Sequence, residues 1–126
     1  MPKKSPRQLI IKANDDIFRT LIHARDKETC QKTGRTGVAL DVAHFWRRNL
    51  LRTRWDLDNA CLLQKGTHLF WAHSHFQDFQ AFWLKRLGKE RYDKLELKAR
   101  YAAPVKMQDL LAMNYYLKTQ LKKLAP

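Results

Sequence analysis

The chain has 126 residues, 44% of them hydrophobic, which suits one domain; no apolar run approaches the roughly 18 residues that a membrane span needs. Lysine and arginine number 25 against 12 acidic residues, and the resulting formal charge of +13 points to a polyanionic partner, nucleic acid first. Cys30 and Cys61 are too few for a disulfide framework, and the basic start MPKKSPRQ is not followed by the apolar run of a signal peptide, so a reducing, cytoplasmic location is expected.

Residues 1–7 read as a flexible basic arm, and residues 8–126 as a single domain. From Gln8, apolar residues Leu9, Ile10, Ala13, Ile17, Phe18, Leu21 and Ile22 recur at three and four, which predicts a helix ending near Asp26. Gly34 and Gly37 mark turns. VALDVAHF, 38–45, is short and β-prone and predicts a strand. RRNLLRTRWDLD reads as a loop or hairpin connection, and NACLL, 59–63, as a second strand. Gly66-Thr67 is expected to cap a helix starting near His68. Leu69, Phe70, His73, Phe76, Phe79, Phe82 and Trp83 supply its apolar face, with a break near Gln77 and a C-cap at Gly88. Helices over 91–102 and 107–124 complete the chain, separated by Pro104. The predicted class is α+β, helix-dominated, with a central hairpin.

The segment 39–76 holds His44, His68, His73 and His75, three of the four tryptophans, and Arg47, Arg48, Arg52 and Arg54. His44 closes the first predicted strand, Asn59 opens the second, and His68 begins the following helix. His, Asn and His on strand, strand and helix resemble the HNH, or ββα-metal, nucleases. That resemblance implies a ββα core at about 38–83 and a helical extension at about 89–124. It makes His44 the general base, Asn59 the residue that ties the hairpin and orients that base, and His68 a metal ligand. The residue types suit phosphodiester hydrolysis. A neutral imidazole takes a proton from water near pH 7, and a divalent ion relieves charge on the phosphate and leaving oxygen. The second metal ligand is left open. Asp41, three positions before His44, is favoured, and His73, five positions past His68, competes. Asp56 and Asp58 suit turn roles better. His23 and His75 are expected to be ordinary polar residues.

A closer likeness covers about residues 14–100. NDDIFRTLIHARD resembles the N-terminal helix of the NinG (Rap) family of phage recombination proteins, which closes on an Arg-Asp pair, here Arg25-Asp26. CQKTG is similar to that family's Cys-x-x-Cys-Gly knuckle, with Thr33 at the second Cys position. LDVAHFWRR is similar to a segment containing Gly-His-Phe, with Ala43 in place of Gly. TRWDLDNACLLQKGTH is similar to the segment leading into the second knuckle, with Gln64 and Thr67 at its Cys positions. The likeness continues through DFQAFWLKRLGKERYDKL. It implies an endonuclease acting on branched DNA such as Holliday junctions, phage or prophage encoded, with Mg²⁺ or Mn²⁺. The family's structural zinc needs four thiolates and one knuckle Cys remains, so no structural zinc is expected. Trp46, Trp55, Phe70, Trp71 and Trp83 are expected to replace it by packing, and Cys61 to act as apolar filler.

Arg47, Arg48, Arg52 and Arg54, with Arg35 as a further contact, are expected to grip phosphates through their guanidinium forks. The Lys3, Lys4, Arg7 arm and the lysines of the tail add nonspecific affinity. No helix-turn-helix signature suggests base readout. A homodimer is one arrangement that would give a branched substrate two active sites. The competing expectation is a noncatalytic DNA-binding accessory protein on a decayed HNH scaffold.

Overall fold

The computed structural model describes residues 2–124, and for residues 68–70 and 72 the backbone alone. Helix α1 spans Pro6–Asp26. It starts inside the segment read as a flexible arm, and the cause is local. The Ser5 hydroxyl accepts from the Gln8 backbone N–H at 3.1 Å, and the Ser5 N–H donates to the Gln8 side chain at 2.8 Å. This capping box, with Pro6 in the first helical position, fixes the start earlier than apolar periodicity suggests. The helix ends on Lys27 in the left-handed region, φ 55°.

Strand β1, Leu40–His44, pairs antiparallel with β2, Ala60–Gln64, so that Ala43 faces Cys61 and His44 faces Ala60. Between them the expected loop holds a four-residue helix, α2, Leu51–Arg54, and a 3-10 turn at Leu57–Asn59. Asn59 therefore precedes β2 instead of opening it. Helix α3, Thr67–Ser74, is preceded by Gly66 at φ 84° with no side-chain cap. The capping expected of Thr67 does not occur: a left-handed turn out of β2 suits glycine, and the threonine becomes the first helical residue. Helix α4 spans Phe76–Leu87, so the break falls at His75, two residues before Gln77. Helices α5, Lys89–Ala99, and α6, Met107–Lys123, follow. The described chain is helix-dominated with a small antiparallel sheet, and no described helix is long and apolar enough to cross a membrane.

Strand alternation sorts the hairpin into two faces. Ala43, Cys61 and Leu63 pack with Trp71 of α3, Phe79, Trp83 and Leu87 of α4, and Tyr92 and Leu95 of α5. Val42, Ala60 and Leu62 pack with Phe18, Leu21 and Ile22 of α1, Trp55, and Leu110 and Leu117 of α6. Helices on both sides explain why β2 reads as an uninterrupted apolar run. Trp55, Trp71 and Trp83 are buried in the core, with Trp46 partly so; the Phe70 side chain lies outside the described residues. Phe76 and His73 are exposed instead of belonging to the predicted apolar face.

Two buried polar clusters fix the α1 layer. Asn114 donates to Asn14 at 2.9 Å, joining α6 to α1. Asp26 accepts from the Leu62 backbone at 2.8 Å and pairs with Arg25 and Arg86. Arg25 also donates to the carbonyls of Leu57 and Ala60 at 2.5 and 2.6 Å. The Arg-Asp pair thus staples the end of α1 to the start of β2.

Candidate active site at the end of the first strand

The ring of His44 lies on the α1 side of the hairpin, stacked on Phe18 with centroids 5.8 Å apart. Its Nε2 lies 2.9 Å from the carbonyl oxygen of Arg54. A carbonyl only accepts, so Nε2 carries the proton, and the neutral ring keeps its lone pair on Nδ1. Burial holds the His44 pKa below its ordinary 6.5, reinforced by the charges of Arg48 and Arg54 and opposed by the Arg54 carbonyl and by Asp15. The imidazole is therefore neutral at pH 7 and fixed in one tautomer.

Asn59 organises the loop that supplies this carbonyl. Its Oδ1 accepts from the Trp46 N–H at 2.7 Å, and its Nδ2 donates to the Trp46 and Thr53 carbonyls at 3.1 and 2.9 Å. The side chain is fully buried with each polar atom paired. It clamps the residues just after His44 to those just before Arg54, and so sets where the ring and its acceptor meet.

Asp15 of α1 completes the arrangement and was not singled out from the sequence. Its carboxylate accepts from Arg54 at 2.9 and 2.7 Å, from Trp55 Nε1 at 2.8 Å and from Arg48 at 3.1 Å. Burial alone would raise its pKa, but the hydrogen bonds of Arg54 and Trp55 and the charges of Arg54 and Arg48 outweigh burial and hold it below 3.8. Arg54 is thus held by Asp15 through its guanidinium and holds His44 through its carbonyl. The available signal was an Asp-Asp pair in a helix whose other charged residues, Asp26 apart, are basic.

His44 opens onto a cleft of about 640 Å³ between α1 and β1, whose charged walls carry Lys4, Lys12, Arg19 and Arg48 beside Asp15 and Asp16. Of the arginines expected to hold phosphates, Arg48 reaches this cleft. Arg54 is spent on Asp15, and Arg52 donates to the Ala103 and Pro104 carbonyls at 3.2 Å each, tying the loop to the segment before α6. Arg47 lines a separate aromatic pocket with Phe45, Trp46 and Tyr92. Arg35 is exposed beyond the α1 turn.

The implied metal would draw on Asp41, His68 and His73. Asp41 pairs in register with Leu63 and shares the strand face of Ala43, towards α3 and away from the face of His44. His73 is exposed on α3, and the His68 side chain lies outside the described residues. Among the described residues no three His, Cys, Asp or Glu side chains stand together as a metal would need. The described donors alone do not fit a divalent ion. Of the positions likened to a zinc knuckle, Cys30 and Gln64 meet: the Gln64 N–H donates to Cys30 Sγ at 3.3 Å. Burial would raise the Cys30 thiol, but hydrogen bonds from the Thr33 hydroxyl and the Thr33, Gln64 and Lys32 backbones hold it below 9.0. Burial pushes the Cys61 thiol up to about 12, as befits an apolar filler.

Comparison with protein-family models, curated proteins and solved structures finds no match.

Proposed function

We propose that this protein is an HNH-type, metal-dependent endodeoxyribonuclease acting on branched recombination intermediates. The observation that carries the hydrolase reading is the His44–Arg54 contact: a neutral imidazole, locked with its proton on Nε2, at the wall of a basic cleft. In that state Nδ1 accepts a proton from water as the water oxygen attacks phosphorus. The bond from phosphorus to the attacking oxygen forms as the bond to the leaving sugar oxygen breaks; the water's proton passes to His44, and the leaving oxygen takes its bonding pair and is protonated from solvent. Arg48, beside the ring, offsets charge on the phosphate oxygens. Asn59 and Asp15 touch no substrate; they position the base through the loop backbone. A divalent ion, were one bound beside the cleft, would supply Lewis-acid relief of charge on the phosphate.

The test is cleavage of a labelled four-way junction and a matched linear duplex with Mg²⁺, Mn²⁺ or EDTA, using parent and His44→Ala proteins. Metal-dependent cutting by the parent alone is expected, with the junction preferred. Binding without cutting under either metal would replace the nuclease with a noncatalytic accessory protein.

A further inference from the structure

We infer that the exposed basic face of α1, carrying Lys4, Lys12 and Arg19, is the phosphate-binding wall along which the DNA strand to be cut lies. The inference deepens the proposed function and shares its premise that His44 is the reacting group. These three cations are not among the loop arginines that sequence reasoning favours, yet they line the same cleft as His44. The loop arginines are drawn elsewhere: Arg54 onto Asp15, Arg52 onto the Ala103 and Pro104 carbonyls. Three of the four cations lining the cleft beside the base thus lie on α1 or just before it.

The electrostatics favour a polyanion despite two carboxylates in the cleft. Four lining cations, Lys4, Lys12, Arg19 and Arg48, face two lining anions, Asp15 and Asp16. Asp15 is already engaged by Arg54, Trp55 and Arg48. Asp16 meets Lys12 at 3.4 Å with both side chains more than half exposed, a pair that solvent screens and a phosphate can displace. Geometry adds a spacing argument. Lys12 and Arg19 are seven residues apart on one helix, about 10 Å along its axis, close to the axial rise of three base pairs of duplex at about 3.4 Å each. Lys4, just before the helix cap, extends the row towards the N-terminus. A rigid helix presenting cations at this interval holds a backbone in register without reading bases.

The test is a salt series of binding to the labelled four-way junction in EDTA, where no metal-dependent cutting intervenes. A Lys4→Gln/Lys12→Gln/Arg19→Gln protein is compared with a Lys85→Gln/Lys89→Gln/Lys94→Gln control that removes the same charge from exposed positions on α4 and α5. The α1 variant is expected to flatten the slope of log affinity against log salt by about 2–3, with at least a roughly tenfold weaker Kd at moderate salt, while the control moves Kd less than about twofold. Equal weakening in both variants, or none in the α1 variant, overturns the inference. Circular dichroism of each variant confirms that the helices persist. The cutting assay is read separately. A parent that binds through α1 but never cuts leaves the α1 wall standing and overturns the hydrolase. A parent that cuts, with an α1 variant that binds like the control, does the reverse.

Discussion

The two faces of one hairpin have been built for different work. Towards α3, α4 and α5, Phe45 stacks on Trp83 at 5.4 Å, and Phe79, Phe82, Trp71 and Tyr92 close around them. Towards α1, the apolar layer stops at Val42, and the next residue on that face is a partly buried histidine opening onto charge. Strand alternation makes the division, since Ala43 and His44 are neighbours in sequence and point to opposite sides. A small domain can hold an imidazole at an open, charged cleft because the opposite face is sealed by aromatic rings.

Breaking the sealed face should cost most. Trp83 is fully buried and donates its indole N–H to the Asp58 carbonyl at 2.9 Å. Trp83→Ala is expected to lower unfolding stability by about 3–5 kcal/mol in urea titration. Below the transition, the salt slope of DNA binding should be unchanged, because no binding residue has moved. A loss under about 1 kcal/mol would mean that the aromatic face does not carry the fold.

Asn59→Ala attacks the seam between the faces. It removes three hydrogen bonds and strands the Trp46 N–H in a buried setting, at an expected cost of about 3 kcal/mol. Here stability and cutting should fall together, whereas Trp83→Ala spares the site wherever the protein stays folded. Asp15→Asn is milder, at about 2 kcal/mol, because the carboxylate is part exposed and Arg54 can still reach the amide oxygen. Its distinctive readout is the ¹⁵N spectrum of His44: loosening Arg54 should weaken the preference for a proton on Nε2. An unchanged tautomer would remove Asp15 from the positioning role.

Much of this division was legible in the chain, and the exceptions have physical causes. The hairpin followed from β-prone residues bounded by turns, and α1, α4 and α6 from apolar spacing. Helix α2 was not legible, because four residues of Leu-Arg-Thr-Arg have no periodicity. Tertiary bonds hold it, from Asn59 to Thr53 and from Arg52 and Arg54 outwards. The Ser5–Gln8 capping box was readable and was masked by the run of basic residues around it. His44 and Asn59 stood out by type and order. Asp15 did not, since its importance lies in contacts 33 to 40 residues away in sequence. The arginines are ambiguous for a related reason: a guanidinium that suits a phosphate also suits a carboxylate or a carbonyl, and sequence does not say which is nearer.

The smallest expected effect is the most specific to the working face. In the unfolded chain the His44 imidazole titrates near 6.5, and in the folded protein burial holds it lower. Across the window between those values the unfolded state binds more protons than the native state. Stability from this group is therefore fully present above pH 6.5 and declines as pH falls through the window towards the folded value. Urea midpoints measured from about pH 8 to about pH 5 should show that decline in the parent and a flatter profile in His44→Gln, the other histidines being common to both. Cutting should keep its basic form of His44 to lower pH than a free imidazole allows, so the acid limb of the rate profile should fall below 6.5. Parallel stability profiles, with an acid limb at or above the free value, would mean that the ring is solvated, and the contrast between a sealed face and a face that tunes its histidine by partial burial would fail at the residue that defines it.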